Sequence, residues 1–324
     1  MLLSVAFVAL TLSGQPEQPK PFELKDGDRI VWIGGTLVER EQRYGYWETA
    51  LLAANPGKKI TFRNLGWSGD TVWGESRGRF DFANADKCFH QLVDLTLELK
   101  PTVIFISYGT NESFAGKDGL ARFEKGLETL LDALKPAGAR IVLFTPIPFE
   151  AGPRFPDPKA RNAALRMYAD AVRKVAAERK SFCADLFATV GRRMNEYDTL
   201  RQHKAIRDDE ALTGNGMHLS GTGYSATTVS FLQSLGLVGE IPSCPVGFEL
   251  PAVLKELNKN LEPLRQAVIA KNELFFYRWR PQNETYLFGF RKHEQGKNAK
   301  EVAEFDPLVS KAEEEIERMR KTIK

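Results

Sequence analysis

Four short segments of this chain place glycine beside a hydroxyl, an amide or an imidazole, the residue types that do chemistry at a turn. The segments are Gly34-Gly35-Thr36, Asn64-Leu65-Gly66-Trp67-Ser68-Gly69-Asp70-Thr71, Gly109-Thr110-Asn111 and Asn215-Gly216-Met217-His218. Thr36 is a potential nucleophile, because a hydroxyl served by a base can attack a carbonyl carbon. Taken alone, each segment has a plainer explanation as a helix cap, a turn or a structural histidine. Their arrangement must decide between the two interpretations.

The first three segments each follow a short apolar run that is typical of a buried strand. Strand-like runs cover residues 30–33, 60–65, 103–107, 141–145 and 182–186. Amphipathic, helix-like pieces lie between them at 86–99, 120–134 and 158–179. This alternation predicts a parallel sheet with helices on both faces. Because the carboxyl ends of parallel strands share one edge, we expect Thr36, Gly69, Asn111 and His218 to gather there.

The order of these segments resembles that of the SGNH (GDSL-type) hydrolases, from about Asp26 to Gly236. The resemblance implies a flavodoxin-like, three-layer α/β/α sandwich with a five-stranded parallel sheet. It also implies ester hydrolysis by a Ser-His-Asp arrangement with a three-donor oxyanion hole. Carried onto this chain, it makes Thr36 the nucleophile and His218 the general base. The oxyanion donors are then the backbone N–H groups of Thr36 and Gly69 and the side chain of Asn111.

Two positions depart from the family pattern. Where the family has Gly-Asp-Ser, this chain has Gly34-Gly35-Thr36, and where the family has Asp-x-x-His, it has Asn215 three residues before His218. Threonine keeps a hydroxyl, but its methyl group restricts χ1 and can crowd the attack, which predicts a slower enzyme. Ser68 is the next candidate nucleophile.

Asn215 cannot supply the negative charge that stabilises an imidazolium. An amide can still orient the ring, although it can also hold the wrong tautomer. A backbone carbonyl, or an acid among Asp208, Asp209 and Glu210, could take over the orienting role, but such a charge run is more often a solvated loop.

The composition is that of an ordinary globular protein. The chain has 324 residues, of which 43% are hydrophobic, and 45 Lys and Arg against 42 Asp and Glu give a net charge of +3. This balance argues against a nucleic-acid partner. Cys88, Cys183 and Cys244 are far apart and form no CxxC pair, so they predict neither a zinc site nor a disulfide framework. No cofactor or metal is implied, and the oligomeric state stays open.

We divide the chain into residues 1–21, 22–243 and 244–324. Residues 1–13 are mostly apolar and have the length of a signal-peptide core, too short to span a bilayer, and a Pro-rich linker follows. The segment lacks a basic start, and Thr11 and Ser13 form a mediocre cleavage site. We expect export to the periplasm or the exterior rather than an uncleaved strand or tail, and a cytoplasmic location stays possible.

Residues 244–324 lie outside the resemblance and form a helical, aromatic extension. A long amphipathic helix comes first, then an aromatic and Arg-rich stretch over residues 275–296, then a last helix after Asp306-Pro307. The stretch either braces the extension against the main domain or closes over the cleft and contacts sugars. In the second interpretation Arg280, Asn283 and Arg291 contact the substrate. The last helix has a narrow apolar stripe, which could dock on the domain or on a partner helix.

The apolar start and the resemblance together predict an exported esterase with a small-molecule or glycan ester as its partner. That it removes acyl groups, acetyl foremost, from a carbohydrate is what the range of the superfamily and the aromatic stretch imply. The rival prediction is a catalytically impaired domain of the same fold that binds a glycan or a protein. The altered Thr36 and Asn215 favour the rival, whereas the intact Gly69, Asn111 and His218 favour the enzyme. A structural module of a cell-surface assembly is a third possibility.

Overall fold

The computed structural model describes residues 20–78, 81, 83–152, 155–207, 211–239, 252–294 and 298–322; between 252 and 259 it describes the backbone alone. The predicted signal segment, the boundary between residues 243 and 244, and Cys244 lie outside these ranges. So do the alternative orienting acids Asp208, Asp209 and Glu210.

A five-stranded parallel sheet forms the centre of the fold, as predicted. The strands are β1 (Arg29–Gly34), β2 (Thr61–Asn64), β3 (Val103–Ser107), β4 (Arg140–Phe144) and β5 (Phe182–Ala184), in the spatial order β2-β1-β3-β4-β5. The sheet pairs Gly34 of β1 with Ser107 of β3, and Ser107 with Phe144 of β4. These strands therefore end at one level, and the loops that follow them lie side by side.

Helices cover both faces of the sheet, which gives the three layers. The helices are α1 (Thr36–Tyr44), α2 (Tyr46–Ala53), α3 (Ala85–Glu98), α4 (Leu120–Leu134), α5 (Lys159–Glu178), α6 (Leu186–Gln202), α7 (Gly221–Ala226), α8 (Thr228–Ser234), α9 (Ala252–Trp279), α10 (Glu284–Leu287) and α11 (Phe305–Thr322). The strand predicted at 182–186 ends earlier, at Ala184. The reason is that the Asp185 side chain accepts the Ala188 N–H and starts α6.

Alternating strand residues build two separate cores. Trp32 and Phe105 enter one core, where they meet Trp47 of α2 and Phe231 of α8. Their neighbours in β1 and β3 enter the second core with α3, α4 and α5. Both faces of the sheet are thus apolar, as expected for parallel strands. Within the described ranges, no helix has the length and the apolar run that a bilayer span needs.

The C-terminal helices pack onto both cores. Leu264 and Val268 of α9 join the first core, and Phe275 and Trp279 at its end join the second. The helix α11 lies against α9 and fixes Arg320 on the backbone carbonyls of Leu52, Asn55 and Lys58. The extension is therefore built into the packing of the α/β sandwich.

A buried polar cluster joins α9 to α2. The Lys271 ammonium donates to Glu48 at 2.7 Å and to the Asn272 side chain at 2.7 Å, and Asn272 donates to the other Glu48 oxygen at 2.8 Å. The side chains of Lys271 and Glu48 are each only 1% exposed. Each charge in this cluster depends on the other, because neither can be hydrated in place.

Replacing Lys271 by methionine should lower the free energy of unfolding by about 3–5 kcal/mol, since the Glu48 carboxylate would stay buried without its counter-ion. Lys174→Met is the matched control, because Lys174 pairs with Glu124 at 2.9 Å but is 56% exposed. That exposed pair should contribute about 0–1 kcal/mol. Urea unfolding of the two variants measures the difference, and equal losses would show that the Lys271 cluster does not hold the extension in place.

Candidate active site

The turn between β1 and α1 places Thr36 at the first position of a helix. A Cβ atom on Gly34 would lie 2.5 Å from the Ser107 carbonyl oxygen and 2.6 Å from Val38. On Gly66, in the neighbouring loop, a Cβ atom would lie 2.2 Å from the Glu39 nitrogen. Only glycine fits at these two places, because the end of β1 lies against the end of β3 and the loop after β2 lies against the backbone of α1. This close approach brings Thr36 into contact with the next loop.

The hydroxyl of Thr36 already meets one predicted oxyanion donor. The Gly69 N–H donates to Thr36 Oγ1 at 3.2 Å. In acyl transfer, the oxyanion forms on the carbonyl that the nucleophile attacks, so its donors must lie beside the attacking oxygen. The contact between Thr36 and Gly69 satisfies that requirement in this structure.

Asn111 lies on the other side of the same space. Its amide nitrogen donates to the Asp70 carbonyl at 2.8 Å, which uses one of the two amide N–H groups. The Glu112 carboxylate accepts the N–H groups of Val72 and Gly109, both at 2.9 Å, and so ties the two loops together. Burial raises the pKa of Glu112 to about 7. The loops that carry Gly69 and Asn111 are therefore fastened to each other by residues 111 and 112.

A buried ion pair supports the loop after β2, and the sequence analysis did not identify it. Asp70 accepts from Arg77 Nε at 2.6 Å and from the Tyr108 hydroxyl at 3.0 Å, and neither the Asp70 nor the Arg77 side chain is exposed. In the sequence the pair is only an acid and an arginine seven residues apart in a loop. Such a spacing is too common to indicate a buried ion pair. The pair fixes the backbone at residue 70, next to the donor at Gly69.

His218 is oriented by Asn215 in a specific way. The Asn215 side-chain oxygen accepts the backbone N–H groups of Met217 at 3.2 Å and His218 at 2.9 Å. This leaves the amide nitrogen facing His218 Nδ1, at 3.1 Å. Because an amide nitrogen only donates, Nδ1 must accept, and the proton of the neutral ring then sits on Nε2. A general base in a triad needs the opposite tautomer, with Nε2 free to accept.

Burial and the positive charge of Arg40 lower the pKa of His218. The imidazole therefore stays neutral to a lower pH than a free histidine would. Neutrality is required of a base, but it does not correct the tautomer that Asn215 selects.

Three of the four predicted site residues line one open cleft: Thr36, Asn111 and His218. Gly69 joins them through its bond to Thr36. The structure thus brings the four residues together at the carboxyl edge of the sheet. Their catalytic roles remain predictions.

A model of the GDSL-like lipase/acylhydrolase family matches residues 27–226 of this chain. The chain belongs to this family. A comparison with curated proteins gives no significant match. The family assignment makes this protein an ester hydrolase and agrees with the fold described above.

Solved structures with a similar fold include three hydrolytic or drug-metabolizing enzymes. The gut microbial diltiazem-metabolizing enzyme BT4096 is 14% identical, with a TM-score of 0.57, over 92% of this chain and 96% of that one. The acetylxylan esterase Axe2 of Geobacillus stearothermophilus is 20% identical, with a TM-score of 0.48, over 68% and 100%. The hydrolase LAE5 from the Lake Arreo metagenome is 20% identical, with a TM-score of 0.47, over 67% and 99%. The likeness to BT4096 supports the fold.

The predicted substrate contacts of the extension lie outside the residues that line the cleft. Arg280 pairs with Glu39 at 3.1 Å and stacks 3.7 Å from the centre of the Trp67 ring. Asn283 is exposed just before α10, and Arg291 pairs with Glu294 and packs on Tyr286. Contact of these three residues with substrate stays a prediction. What the structure shows is a brace, in which Trp279 is buried against Trp67.

Arg280 holds the loop that carries Gly69. It contacts Trp67 directly, and its partner Glu39 accepts the Ser68 N–H. Replacing Arg280 by alanine removes its contacts with Trp67 and Glu39, so the loop that carries Gly69 loses support. We expect kcat for a neutral ester to fall about tenfold to hundredfold, which is less than the fall caused by removing a whole oxyanion donor. KM should change little, because the oxyanion exists only in the transition state.

Arg278→Ala is the matched control, since Arg278 pairs with the exposed Asp306 at the same helix end. Arg280→Lys should restore little, because an ammonium cannot stack on the indole as a guanidinium does. An equal fall in kcat for the Arg278 variant would contradict a specific role for Arg280.

Proposed function

We propose that this hydrolase removes small acyl groups, acetyl foremost, from a carbohydrate, with Thr36 as nucleophile. The observation that carries the proposal is the 3.2 Å contact between Thr36 Oγ1 and the Gly69 N–H, beside the Asn111 amide. A carbonyl attacked by Thr36 would direct its oxygen toward these donors. The cleft lining also includes the apolar side chains of Ile147, Met217 and Leu219, which would contact the acyl group.

The reaction would run in two halves. Thr36 Oγ1 bonds to the acyl carbon while its proton passes to His218 Nε2, and the alcohol leaves with that proton. Water then attacks the acyl-threonine, His218 again takes the proton, and the acid leaves as Thr36 recovers its hydrogen. The Thr36 and Gly69 N–H groups and the Asn111 amide stabilise the oxyanion in both halves.

Asn215 makes this cycle slow. For His218 Nε2 to accept a proton, Nδ1 must carry one, and that proton would face the donating amide nitrogen of Asn215. Rotating the amide would give up the two backbone N–H groups that its oxygen accepts, at about 1 kcal/mol each. Asn215 also supplies no charge to the imidazolium. Turnover is therefore possible through a minor form of the site.

The carbohydrate part of the proposal rests on the substrates of SGNH hydrolases, which include sugar esters. Export is proposed on the apolar segment at residues 1–13. The test is acetate release from acetylated xylo-oligosaccharides, compared with release of 4-nitrophenol from its acetate and its octanoate. We expect faster hydrolysis of the acetates; faster hydrolysis of the octanoate would contradict the proposal.

The second candidate is a domain that binds an acetylated glycan without hydrolysing it. The contact between Asn215 and His218 favours it, because the Nε2–H tautomer makes His218 a donor toward the cleft. Calorimetric binding of the same oligosaccharides with no release of acetate by the wild-type protein would favour this candidate over the enzyme.

A further inference from the structure

One cation of the cleft, Arg40, has no counter-ion among the residues that the structure describes. Arg40 lies one turn after Thr36 on α1 and lines the cleft with Thr36 and His218. Its Nε is buried and makes no hydrogen bond, and its Nη2 donates to the Tyr44 hydroxyl at 3.3 Å. In the described part of the chain, no carboxylate lies within ion-pair distance of this guanidinium. An arginine in such a place can accept an anion from solution.

The carboxylates around the cleft are already engaged. Asp70 is held by Arg77 and Tyr108, and Glu112 holds the N–H groups of Val72 and Gly109. Neither carboxylate is directed at Arg40. Arg40 is therefore the charged side chain of the cleft that these carboxylates leave for a ligand.

The two acids beside Arg40 in the sequence do not neutralise it either. Glu39 pairs instead with Arg280 at 3.1 Å and with Arg43 at 3.8 Å. Glu41 is fully buried and accepts the N–H groups of Trp47 and Glu48. Burial and the nearby Glu48 raise the pKa of Glu41 to about 8, so this carboxyl group is largely protonated at neutral pH. Arg40 keeps its full charge toward the cleft.

The neighbouring polar groups reinforce this preference. With Asn215 donating to Nδ1, His218 presents an N–H at Nε2. The second amide N–H of Asn111 is a further donor at the same cleft. A cleft with hydrogen-bond donors and one unpaired guanidinium is complementary to an anionic ligand.

We propose that Arg40 forms an anion subsite and that the ester substrate carries a carboxylate, either on its alcohol part, as in an acidic sugar, or on its acyl part. This inference rests on the proposed hydrolysis. A guanidinium binds a carboxylate through two parallel N–H···O bonds, which positions the ester relative to Thr36 as well as attracting it.

Two matched pairs of esters test the subsite. For the acyl part, 4-nitrophenyl hemisuccinate is compared with 4-nitrophenyl methyl succinate, and for the alcohol part, 4-acetoxybenzoate is compared with its methyl ester. In one of the pairs, kcat/KM of the wild-type protein should be about tenfold to hundredfold higher for the charged ester. The pair that shows this preference identifies the part of the substrate, acyl or alcohol, that carries the carboxylate.

Arg40→Gln should abolish that preference, whereas Arg43→Gln should keep it. The Arg43→Gln variant loses the same charge one turn further along α1, at a side chain that is 67% exposed. If both pairs react with equal kcat/KM, or if the Arg40 variant keeps the wild-type preference, the subsite is wrong while the proposed hydrolysis stands.

A calorimetric titration with benzoate and succinate separates the two proposals. If no ester is hydrolysed, the proposed function fails, but binding of one carboxylate to the wild-type protein and at least tenfold weaker binding to the Arg40→Gln variant would still support the subsite. The subsite would be overturned if the wild-type protein and the Arg40→Gln variant bound the carboxylates with equal affinity, or if the wild-type protein bound neither carboxylate.

Discussion

Replacing Asn215 by aspartate should raise kcat for an activated acetyl ester, by up to about 10⁴-fold. The reverse exchange in a serine protease, aspartate to asparagine behind the catalytic histidine, costs about that factor because it holds the wrong tautomer. Asn215 selects the same wrong tautomer here, since its amide nitrogen faces His218 Nδ1 at 3.1 Å. An aspartate would keep one oxygen on the N–H groups of Met217 and His218 and offer the other to Nδ1–H.

The pH profile of this variant gives a second measurement. The wild-type imidazole has a lowered pKa, owing to burial and Arg40. A carboxylate behind it favours the charged form and raises that pKa. Because the base must be neutral, the acidic limb of kcat/KM should move to higher pH in the Asn215→Asp variant.

Asn215→Ala serves as the control for the tautomer argument. Removing the amide nitrogen frees Nδ1 to carry a proton bound to water, so the rate should rise modestly or stay unchanged rather than fall. A large fall in the alanine variant would mean that Asn215 assists catalysis as it stands. An unchanged rate and unchanged acidic limb in the aspartate variant would show that His218 is not the base.

The sheet was predictable from the sequence because its central strands are short apolar runs that must be buried on both sides. The runs at 30–33 and 103–107 are nearly coextensive with β1 and β3. The turns were predictable for a related reason, since Gly34 and Gly66 lie where only glycine fits. Local chemistry decided both features, so a single sequence contained the information.

The supports of the site were not predictable, because they depend on pairs of residues far apart in the chain. Glu39 and Arg280 are separated by 241 positions, and Glu48 and Lys271 by 223. In the sequence each is one charged residue among many, and only the folded arrangement buries it beside its partner. The aromatic stretch was ambiguous for the same reason: Trp279 proved to be buried, while Phe290 is 76% exposed.

Assigning the tautomer of His218 required both the sequence and the folded structure. The sequence showed an amide where the family has an acid, which left the ring orientation open. The backbone N–H groups that occupy the Asn215 oxygen resolved it, since they leave only the amide nitrogen for the imidazole. A short turn, rather than the identity of residue 215 alone, therefore sets the proton on Nε2.

Replacing Thr36 by alanine should reduce ester hydrolysis to the background rate, because Thr36 is the hydroxyl that contacts the Gly69 donor. His218→Ala should lower the rate nearly as much. The double variant should lose little more, since the effects of substituting residues that act as a unit are not additive. Thr36→Ser keeps the hydroxyl and removes the methyl group that restricts χ1, so its rate should equal or exceed that of the wild-type protein. Single-turnover release of 4-nitrophenol from its acetate compares these four variants with the wild-type protein. Ser68→Ala is the control, because Ser68 is the next candidate nucleophile from the sequence. Retained activity in Thr36→Ala together with loss in Ser68→Ala would transfer the nucleophile to Ser68.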